Sequence, residues 1–369
     1  MKLIFLFFSF FILVNLHAQT QTSWPNSRGD IQLNGYTQAK FPSQVEMKWM
    51  YDADGIFKSA PVIQKHKIVV GSTSGDLLCL DFQGNLLWKF ETPNAIEAPA
   101  LIHEGVVYFG NLSGMFYALD LETGTKKWEY KTDNQVMGAP TLFSRGGRTI
   151  LAFGSYDYYL HGVDAKSGEG LWKYETENFL NSAPALYEGK AIFGGCDGFL
   201  HMVNMTNGLL AGKVEVATYV ASSPAVTDNF AYIGDYDGGF TCIDLEKQRI
   251  KWRFEKENNT LPFIASPSLA GNKILIGSRD RFLYCIDSDT GNKLWKVNTG
   301  NRVDASTIAN STQVLVANMR GDIMLLNHTD GSTVWNYELG VAVVNAPAVI
   351  DNIIVIAGND GNVYFLAKP

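Results

Sequence analysis

Tryptophan recurs at a nearly constant interval along most of this chain. Successive copies are separated by 39 to 44 residues, except for one double interval in which Gly212 occupies the expected position. A second marker, a small residue followed by proline, recurs with the same period, as at Ala98-Pro99 and Ser266-Pro267. A period of this length indicates one supersecondary unit that is repeated about eight times and cannot bury its core alone. The recurring tryptophans are Trp49, Trp88, Trp128, Trp172, Trp252, Trp295 and Trp335.

The repeated unit predicts four short β-strands. Its runs combine β-branched and aromatic residues, and glycine, asparagine or aspartate stands between them, as at Asp197-Gly198. Asp-Gly supplies the positive φ angles of tight turns, and no window of the chain has a sustained helical period. In the second unit the predicted strands are residues 99–103, 106–110, 115–120 and 126–130. Four strands repeated at this interval are typical of a β-propeller, whose blades bury both faces by stacking around an axis.

The two ends of the repeat array complement each other. The last unit stops at Tyr364-Phe365-Leu366, which corresponds to the third strand of the other units, so it lacks a fourth strand. Residues 46–51, which contain Trp49, have the pattern of a spare fourth strand. We therefore predict an all-β, eight-bladed β-propeller with four antiparallel strands per blade, in which the N-terminal strand completes the last blade. This closure removes the open edge that would invite aggregation.

Two segments precede the propeller, which is predicted as a single domain over residues 45–369. Residues 1–18 combine Lys2, an apolar run of 14 residues and Ala18, a pattern typical of a secretory signal peptide. An N-terminal anchor that stays in place is the alternative. Residues 19–44 are polar and predict an N-terminal arm.

The distribution of cysteine and of apolar residues predicts the location of the protein. No cysteine follows the apolar run at the N-terminus, since the first one is Cys79, so an acylated lipoprotein is not supported. No later segment is long and apolar enough to cross a bilayer. We therefore predict an exported protein, periplasmic or extracellular, with no transmembrane segment after signal cleavage.

Composition narrows the classes of partner. The net charge is −7 and the pI is near 5.4, and the basic stripe that phosphate binding needs is missing, so no nucleic-acid partner is predicted. Three of the four cysteines, Cys79, Cys242 and Cys285, share a repeat position with Ala118 and therefore predict buried thiols in a slot for small side chains. A disulfide is left open as the alternative. Neither a metal-binding nor a haem-binding cysteine motif is present.

The links between successive units contain the candidate binding residues. Residues just before the small-residue–proline marker enter the innermost strands, so they should line the mouth of the central channel. Their mixture of charges and amides suits a small molecule or a peptide, and the alternative is a channel that is polar only because it is wet. The candidates are Lys58, Glu97, Asn181, Asp304 and Asn345.

Aromatic side chains in the same links are candidates for a protein-binding surface. Phe57 and Phe263, together with Phe179 and Leu261, would form such a surface if they are exposed, and would belong to the core if they lie under their own loops. A carbohydrate-binding module is a further hypothesis, because exposed tyrosines on this face could stack on sugars. The tyrosines concerned are Tyr156, Tyr158, Tyr159 and Tyr236.

The stretch from Ala118 to Trp128, A-L-D-L-E-T-G-T-K-K-W, resembles the tryptophan-docking repeat of PQQ-type quinoprotein propellers. Similar stretches end at most of the other tryptophans, and the resemblance covers residues 24–369. The pattern departs from the family at Gly212 and at Lys247-Gln248, where Thr-Gly is expected.

This resemblance implies one of two functions. PQQ-dependent dehydrogenases of the family bind the quinone and Ca²⁺ in the channel mouth, whereas cofactor-free propellers similar to BamB assist outer-membrane β-barrel assembly as scaffolds. The chain resembles the second kind, because it lacks long insertions between blades and an adjacent cysteine pair. The resemblance implies a monomeric, non-enzymatic scaffold in the cell envelope that binds a protein or peptide and no cofactor. The alternative is a small PQQ- and calcium-dependent alcohol or sugar dehydrogenase, for which no catalytic or metal-binding residue is assigned.

Overall fold

Eight four-stranded antiparallel sheets make up the protein. The computed structural model describes residues 21–216, 219–220, 222–257 and 261–369, and within them all regular structure is β-strand. The predicted eight-bladed β-propeller is therefore confirmed, and the predicted signal peptide, residues 1–18, lies outside the described residues. Over the described ranges there is no helix with the length and apolarity needed to cross a membrane.

The strands follow the chain blade by blade, from the innermost strand to the outermost. The N-terminal strand β1 is Glu46–Asp52. Blades 1 and 2 contain β2–β9, at Val62–Gln64, Lys67–Gly71, Asp76–Asp81, Leu86–Glu91, Leu101–His103, Val106–Gly110, Met115–Asp120 and Lys126–Lys131. Blades 3 and 4 contain β10–β17, at Thr141–Arg145, Arg148–Gly154, Tyr159–Asp164, Gly170–Glu175, Ala185–Tyr187, Lys190–Gly194, Phe199–Asn204 and Leu210–Glu215. Blades 5 and 6 contain β18–β25, at Ala225–Thr227, Phe230–Gly234, Gly239–Asp244, Arg249–Glu255, Ser268–Ala270, Lys273–Gly277, Phe282–Asp287 and Lys293–Asn298. Blades 7 and 8 contain β26–β32, at Ile308–Ala309, Gln313–Ala317, Asp322–Asn327, Thr333–Glu338, Ala348–Ile350, Ile353–Ala357 and Asn362–Ala367.

The N-terminal strand closes the ring as predicted. β1 pairs antiparallel with β32, and Trp49 lies opposite Phe365. The sheet order in blade 8 is β1-β32-β31-β30, so the first strand of the chain is the outermost strand of the last blade. The indole of Trp49 stacks on the ring of Phe365, with 5.0 Å between ring centroids. Closure therefore joins the two ends of the array by both backbone hydrogen bonds and aromatic packing.

The tryptophan of each regular outer strand docks on the neighbouring blade. Trp88 Nε1 donates to the carbonyl of Leu121 at 3.0 Å, and its ring covers Gly124. A Cβ at Gly124 would lie 2.7 Å from the indole, and its φ of +71° also favours glycine, so Thr-Gly in the repeat is the receptor for the ring. The same indole donation joins Trp49, Trp128, Trp172, Trp252 and Trp295 to the carbonyls of Phe82, Ala165, Met205, Ser288 and His328.

The interface between blades 4 and 5 departs from this pattern in a coordinated way. Gly212 replaces the tryptophan, and Gln248 replaces the receptor glycine on the next blade. The Gln248 side chain fills the space above Gly212 and donates to the carbonyl of Ala211 at 3.2 Å. Met202 stands opposite Gly212 and fills the other side. The two departures from the repeat are therefore linked: the pair of Gly212 and Gln248 replaces the usual pair of tryptophan and receptor glycine.

The cysteine slot is small because it faces the docking tryptophan across the blade. Cys79 pairs with Trp88 and Cys285 pairs with Trp295. Both thiols are fully buried, and burial raises the pKa of each to about 12. All four cysteines are free thiols, so the alternative of a disulfide is wrong.

The arm circles one end of the channel. Its carbonyls accept hydrogen bonds from the inner strands of successive blades, for example Pro25 from Ile102 at 2.8 Å in blade 2 and Gln32 from Val226 at 3.0 Å in blade 5. Ile31, Asn34, Gly35 and Lys40 accept in the same way from Leu186, Leu269, Ala309 and Asn352. Trp24 exchanges two hydrogen bonds of 2.7 Å with Ile63 and is fully buried. The arm therefore closes this end of the channel, and we call the opposite end the mouth.

Candidate functional site

The loops at the mouth are held in place by a repeated threonine contact. Thr132, at the start of the link from blade 2 to blade 3, donates its hydroxyl to the carbonyls of Gly114 at 3.0 Å and Asn134 at 2.6 Å. In four of the links, this contact joins the link to the turn between the second and third strands of the preceding blade. The equivalent threonines are Thr92, Thr176 and Thr299. The residues of the mouth therefore stand on fixed supports, as a binding site requires.

The structure brings five of the seven predicted site residues to a single cavity. Its volume is about 490 Å³, it opens at the mouth and it ends at Arg28 of the arm. This size falls within the range of small-ligand sites. The five residues are Lys58, Glu97, Asn181, Asp304 and Asn345. Their role in binding stays a prediction, but their common location follows from the repeat.

The charges at the mouth are paired with one another. Lys58 Nζ lies 2.7 Å from Glu97 Oε1, which joins the links of two neighbouring blades. Asp304 accepts two hydrogen bonds of 3.1 Å from Arg279 and lies 3.6 Å from Arg302. The two amide side chains at the mouth differ in their hydrogen bonding. Asn345 donates to the carbonyl of Phe57 at 3.0 Å, whereas the buried Asn181 Oδ1 has no partner among the described residues.

The mouth does not fit the calcium ion of a quinoprotein dehydrogenase. That alternative requires at least two carboxylates close enough to share the ion. Glu97 and Asp304 each engage a cation instead, and in the described part of the chain no three acidic, histidine or cysteine side chains lie together as metal ligands.

Phe57 and Phe263 lie in the core and do not line the mouth. Both side chains are fully buried. Phe263 packs edge-on against Tyr284, with 5.6 Å between ring centroids. Lys256 Nζ lies 4.2 Å from the ring centroid of Phe263. Phe57 belongs to the cluster that also contains Tyr364 of blade 8. Of the two alternatives for these residues, burial in the core is the one observed, because each loop folds its phenylalanine under itself.

Other aromatic side chains do reach the surface around the mouth. Tyr158, Phe179, Tyr219 and Tyr236 are 37–48% exposed, and Tyr156 lines the cavity beside them. The ring of Phe179 lies 4.7 Å from that of Tyr156 and 5.2 Å from that of Tyr158, measured between centroids. Tyr236 N donates to the carbonyl of Tyr219 at 3.2 Å. We call these five residues the rim patch. Tyr219 belongs to none of the repeated motifs, so the sequence did not identify it as a candidate binding residue.

Tyr158 of the rim patch occupies a position where most blades have glycine. It ends the turn between the second and third strands of blade 3 with a φ of +74°, and Gly198 and Gly238 stand at the same position with φ of +83°. A bulky residue in this left-handed region costs roughly 1–3 kcal/mol. Arg281 stands at the equivalent position of blade 6 with a φ of +72°, so two of the eight blades tolerate a side chain at this turn.

Two buried hydrogen-bonded chains support the rim patch from below. His161 Nε2 lies 3.0 Å from Asp157, and its Nδ1 lies 3.1 Å from the hydroxyl of Tyr130. His201 repeats this arrangement with Asp197 at 2.9 Å. Burial alone would raise the pKa of both aspartates, but hydrogen bonding and electrostatic interaction with histidine outweigh it and lower the pKa of each below its usual 3.8. The chains are structural supports, since both imidazoles are almost completely buried.

A family model matches most of the chain. The model is described as outer membrane protein assembly factor BamB, and it covers residues 43–254 and 279–368. The match begins at the strand that closes the ring and includes all eight blades in whole or in part.

Curated relatives match shorter segments. The chain is 28% identical over 94 residues to outer membrane protein assembly factor BamB of Xanthomonas campestris pv. campestris, which covers 22% of this chain and 23% of the relative. It is 24% identical over 118 residues to BamB of Yersinia pestis, which covers 31% and 30%. A match of 32% over 101 residues to human beta-alanine-activating enzyme covers 26% of the chain and 9% of that protein. The chain thus spans less than a third of each relative.

Solved structures share the fold over nearly the whole chain. BamB from Moraxella catarrhalis superposes with a TM-score of 0.75 at 20% identity, covering 88% of this chain and all of that one. A europium-containing methanol dehydrogenase superposes with a TM-score of 0.76 at 9% identity, covering 95% of this chain and 99% of that one. At these identities the superpositions establish the propeller and nothing about its ligands.

Proposed function

Because the chain belongs to the family of the outer membrane protein assembly factor BamB, we propose that it is an exported, non-enzymatic scaffold that holds a protein partner in the cell envelope. The partner docks on the rim patch at the mouth of the propeller. Export is proposed on the signal peptide predicted at residues 1–18, and the proposed scaffold acts as a monomer and without a cofactor.

The single observation that carries this proposal is the rim patch itself. Exposed aromatic side chains dominate the energy of protein interfaces, because a large ring loses little conformational entropy when it is buried. One of them, Tyr158, is 43% exposed and ends a turn in a left-handed backbone conformation. The paired charges of Lys58, Glu97 and Asp304 beside the patch suit the polar rim that surrounds such a contact.

A matched pair of triple variants tests the proposal. We expect Tyr158→Ser, Phe179→Ser and Tyr236→Ser together to abolish co-purification of the envelope partner with the tagged protein. The control combines Leu210→Ser, Leu294→Ser and Val334→Ser, which are similarly exposed on outer strands. Both variants should melt within a few degrees of the wild type, since surface substitutions change stability by about 0.5 kcal/mol or less. Equal capture by both would refute docking at the rim patch.

A titration with soluble oligosaccharides separates this proposal from the carbohydrate-binding hypothesis. Tyrosines that stack on sugars would give saturable binding in the absence of any protein. The scaffold proposal predicts none, together with partner capture that excess oligosaccharide leaves unchanged.

A further inference from the structure

A buried arginine that forms no salt bridge with another described residue lies at the floor of the channel. Arg28 is 3% exposed, and its guanidinium donates to the carbonyl of Thr307 at 2.8 Å and to that of Pro267. Both acceptors are neutral, and the Nε of Arg28 has no hydrogen-bond partner within the described residues. Burial lowers the pKa of Arg28 to about 9, an effect that Asp30 only partly opposes, so the side chain remains cationic at neutral pH. Its charge is therefore only weakly compensated, beside a cavity that opens to solvent.

Serine hydroxyls surround the same part of the cavity wall. Serine precedes the recurring proline in blades 5 and 6, at Ser223 and Ser266. In blade 7, where Thr307 replaces the proline, the preceding residue is also serine, Ser306. Ser306 Oγ accepts a hydrogen bond of 2.9 Å from the backbone of Ser266, which leaves its own hydrogen for a ligand. Pro267 and Thr307, which hold the guanidinium, directly follow two of these serines. The remaining blades have alanine here: Ala60, Ala98, Ala139, Ala183 and Ala346.

The floor of the channel is thus divided into a donor side and an apolar side. We propose that it binds a small organic monocarboxylate, whose oxygens face Arg28, Ser266 and Ser306 and whose apolar body lies against the alanines. One cation matches one negative charge, and a charge within about 4–6 Å acts without direct contact. Hydroxyl donors to a carboxylate form the stronger, charge-assisted kind of hydrogen bond. The site lies below the rim patch and is independent of the protein partner.

Calorimetric titration of the full mature protein tests the site. Benzoate and hexanoate, up to about 10 mM, serve as the probes, benzamide is the neutral control and inorganic phosphate is the competing anion. We expect saturable one-to-one binding of a carboxylate, none of benzamide and weaker binding of phosphate. Arg28→Gln should abolish binding. The Nε–H resonance of Arg28 can be identified in NMR spectra because it disappears in Arg28→Lys. In the wild type this resonance should shift when benzoate is added.

Serine variants keep the test valid if Arg28 is also needed to hold the arm. Ser266→Ala with Ser306→Ala reproduces the side chains of the other blades, so the fold should be retained while carboxylate affinity falls at least about tenfold. Ala139→Ser, on the apolar side, is the matched control and should leave the donors intact. The absence of binding by both carboxylates, equal binding of benzamide, tighter binding of phosphate or unchanged affinity in the double serine variant would each overturn the proposal.

Discussion

The two ends of the channel are built from different kinds of contact. At the arm end, backbone hydrogen bonds join the arm to the inner strands, and Trp24 is fully buried. At the mouth, side chains pair with one another and the rings of Tyr158 and Tyr236 remain exposed. The hydrogen bonds of the arm end stabilise the ring, whereas the mouth retains exposed apolar surface. Substitutions should therefore affect stability at one end and binding at the other.

The largest expected effect is at the arm end. Trp24→Ala should lower the free energy of unfolding by about 3–5 kcal/mol, because it empties a fully buried indole site that also positions the arm. Tyr236→Ala at the mouth, where the ring is 47% exposed, should change it by about 0.5 kcal/mol or less. Denaturant titration of both variants checks the contrast, and similar losses would show that the two ends do not differ.

The buried aspartates beneath the mouth should make stability depend on acid. Asp157 and Asp197 have a pKa below 3.8 in the folded protein. Such carboxyls stabilise the fold above their unfolded pKa, and the contribution is lost as the pH falls through the folded pKa. Asp157→Asn with Asp197→Asn should cost about 1–3 kcal/mol at pH 7, and below about pH 4 its melting curve should converge with that of the wild type. Curves that stay parallel from pH 7 to pH 3 would contradict this.

Relief of strain at the mouth should separate stability from binding. Tyr158→Gly removes a bulky residue from a φ of +74°, so the free energy of unfolding should rise by about 1 kcal/mol. The same variant should capture less of the envelope partner, because it removes an exposed ring of the rim patch. Gly198→Ala, at the equivalent turn of blade 4 with a φ of +83°, is the opposite control and should destabilise the fold. A destabilised Tyr158→Gly would show that the ring supports the fold.

The smallest effect is expected at the ion pair of the mouth. Lys58 is about half exposed, and its pair with Glu97 is solvated on one side. Lys58→Met should therefore change the free energy of unfolding by less than about 1 kcal/mol, and added salt should reduce even that difference. Thermal melts at low and high ionic strength check this, and a salt-independent loss of several kcal/mol would mean that the pair belongs to the core.

The periodic part of the molecule could be predicted from the sequence. Strand positions, the closing strand and the common location of Lys58, Asn181 and Asp304 all follow from the repeat, because equivalent residues occupy equivalent places around one axis. The docking of Trp88 on the next blade was predictable for the same reason, since both the ring and its receptor glycine recur.

The parts that escaped prediction are those that are not periodic. The path of the arm and the burial of Arg28 depend on contacts with residues more than 200 positions away, such as Thr307. Phe57 and Phe263 turned inward because packing within each link is particular to that link. Gly212 and Gln248 were each visible as departures, but only the structure shows that one side chain fills the space the other leaves.

Site-specific photocrosslinking in intact cells compares the two ends most directly. A photoreactive phenylalanine analogue would replace Tyr158 or Tyr236 at the mouth, and Gln32 or Lys40, which are exposed at the arm end. The account predicts that the same envelope protein is crosslinked from both mouth positions and from neither arm position, and that Phe179→Ser weakens the product. Crosslinks to that protein from the arm positions alone would contradict the assignment of the mouth as the docking surface.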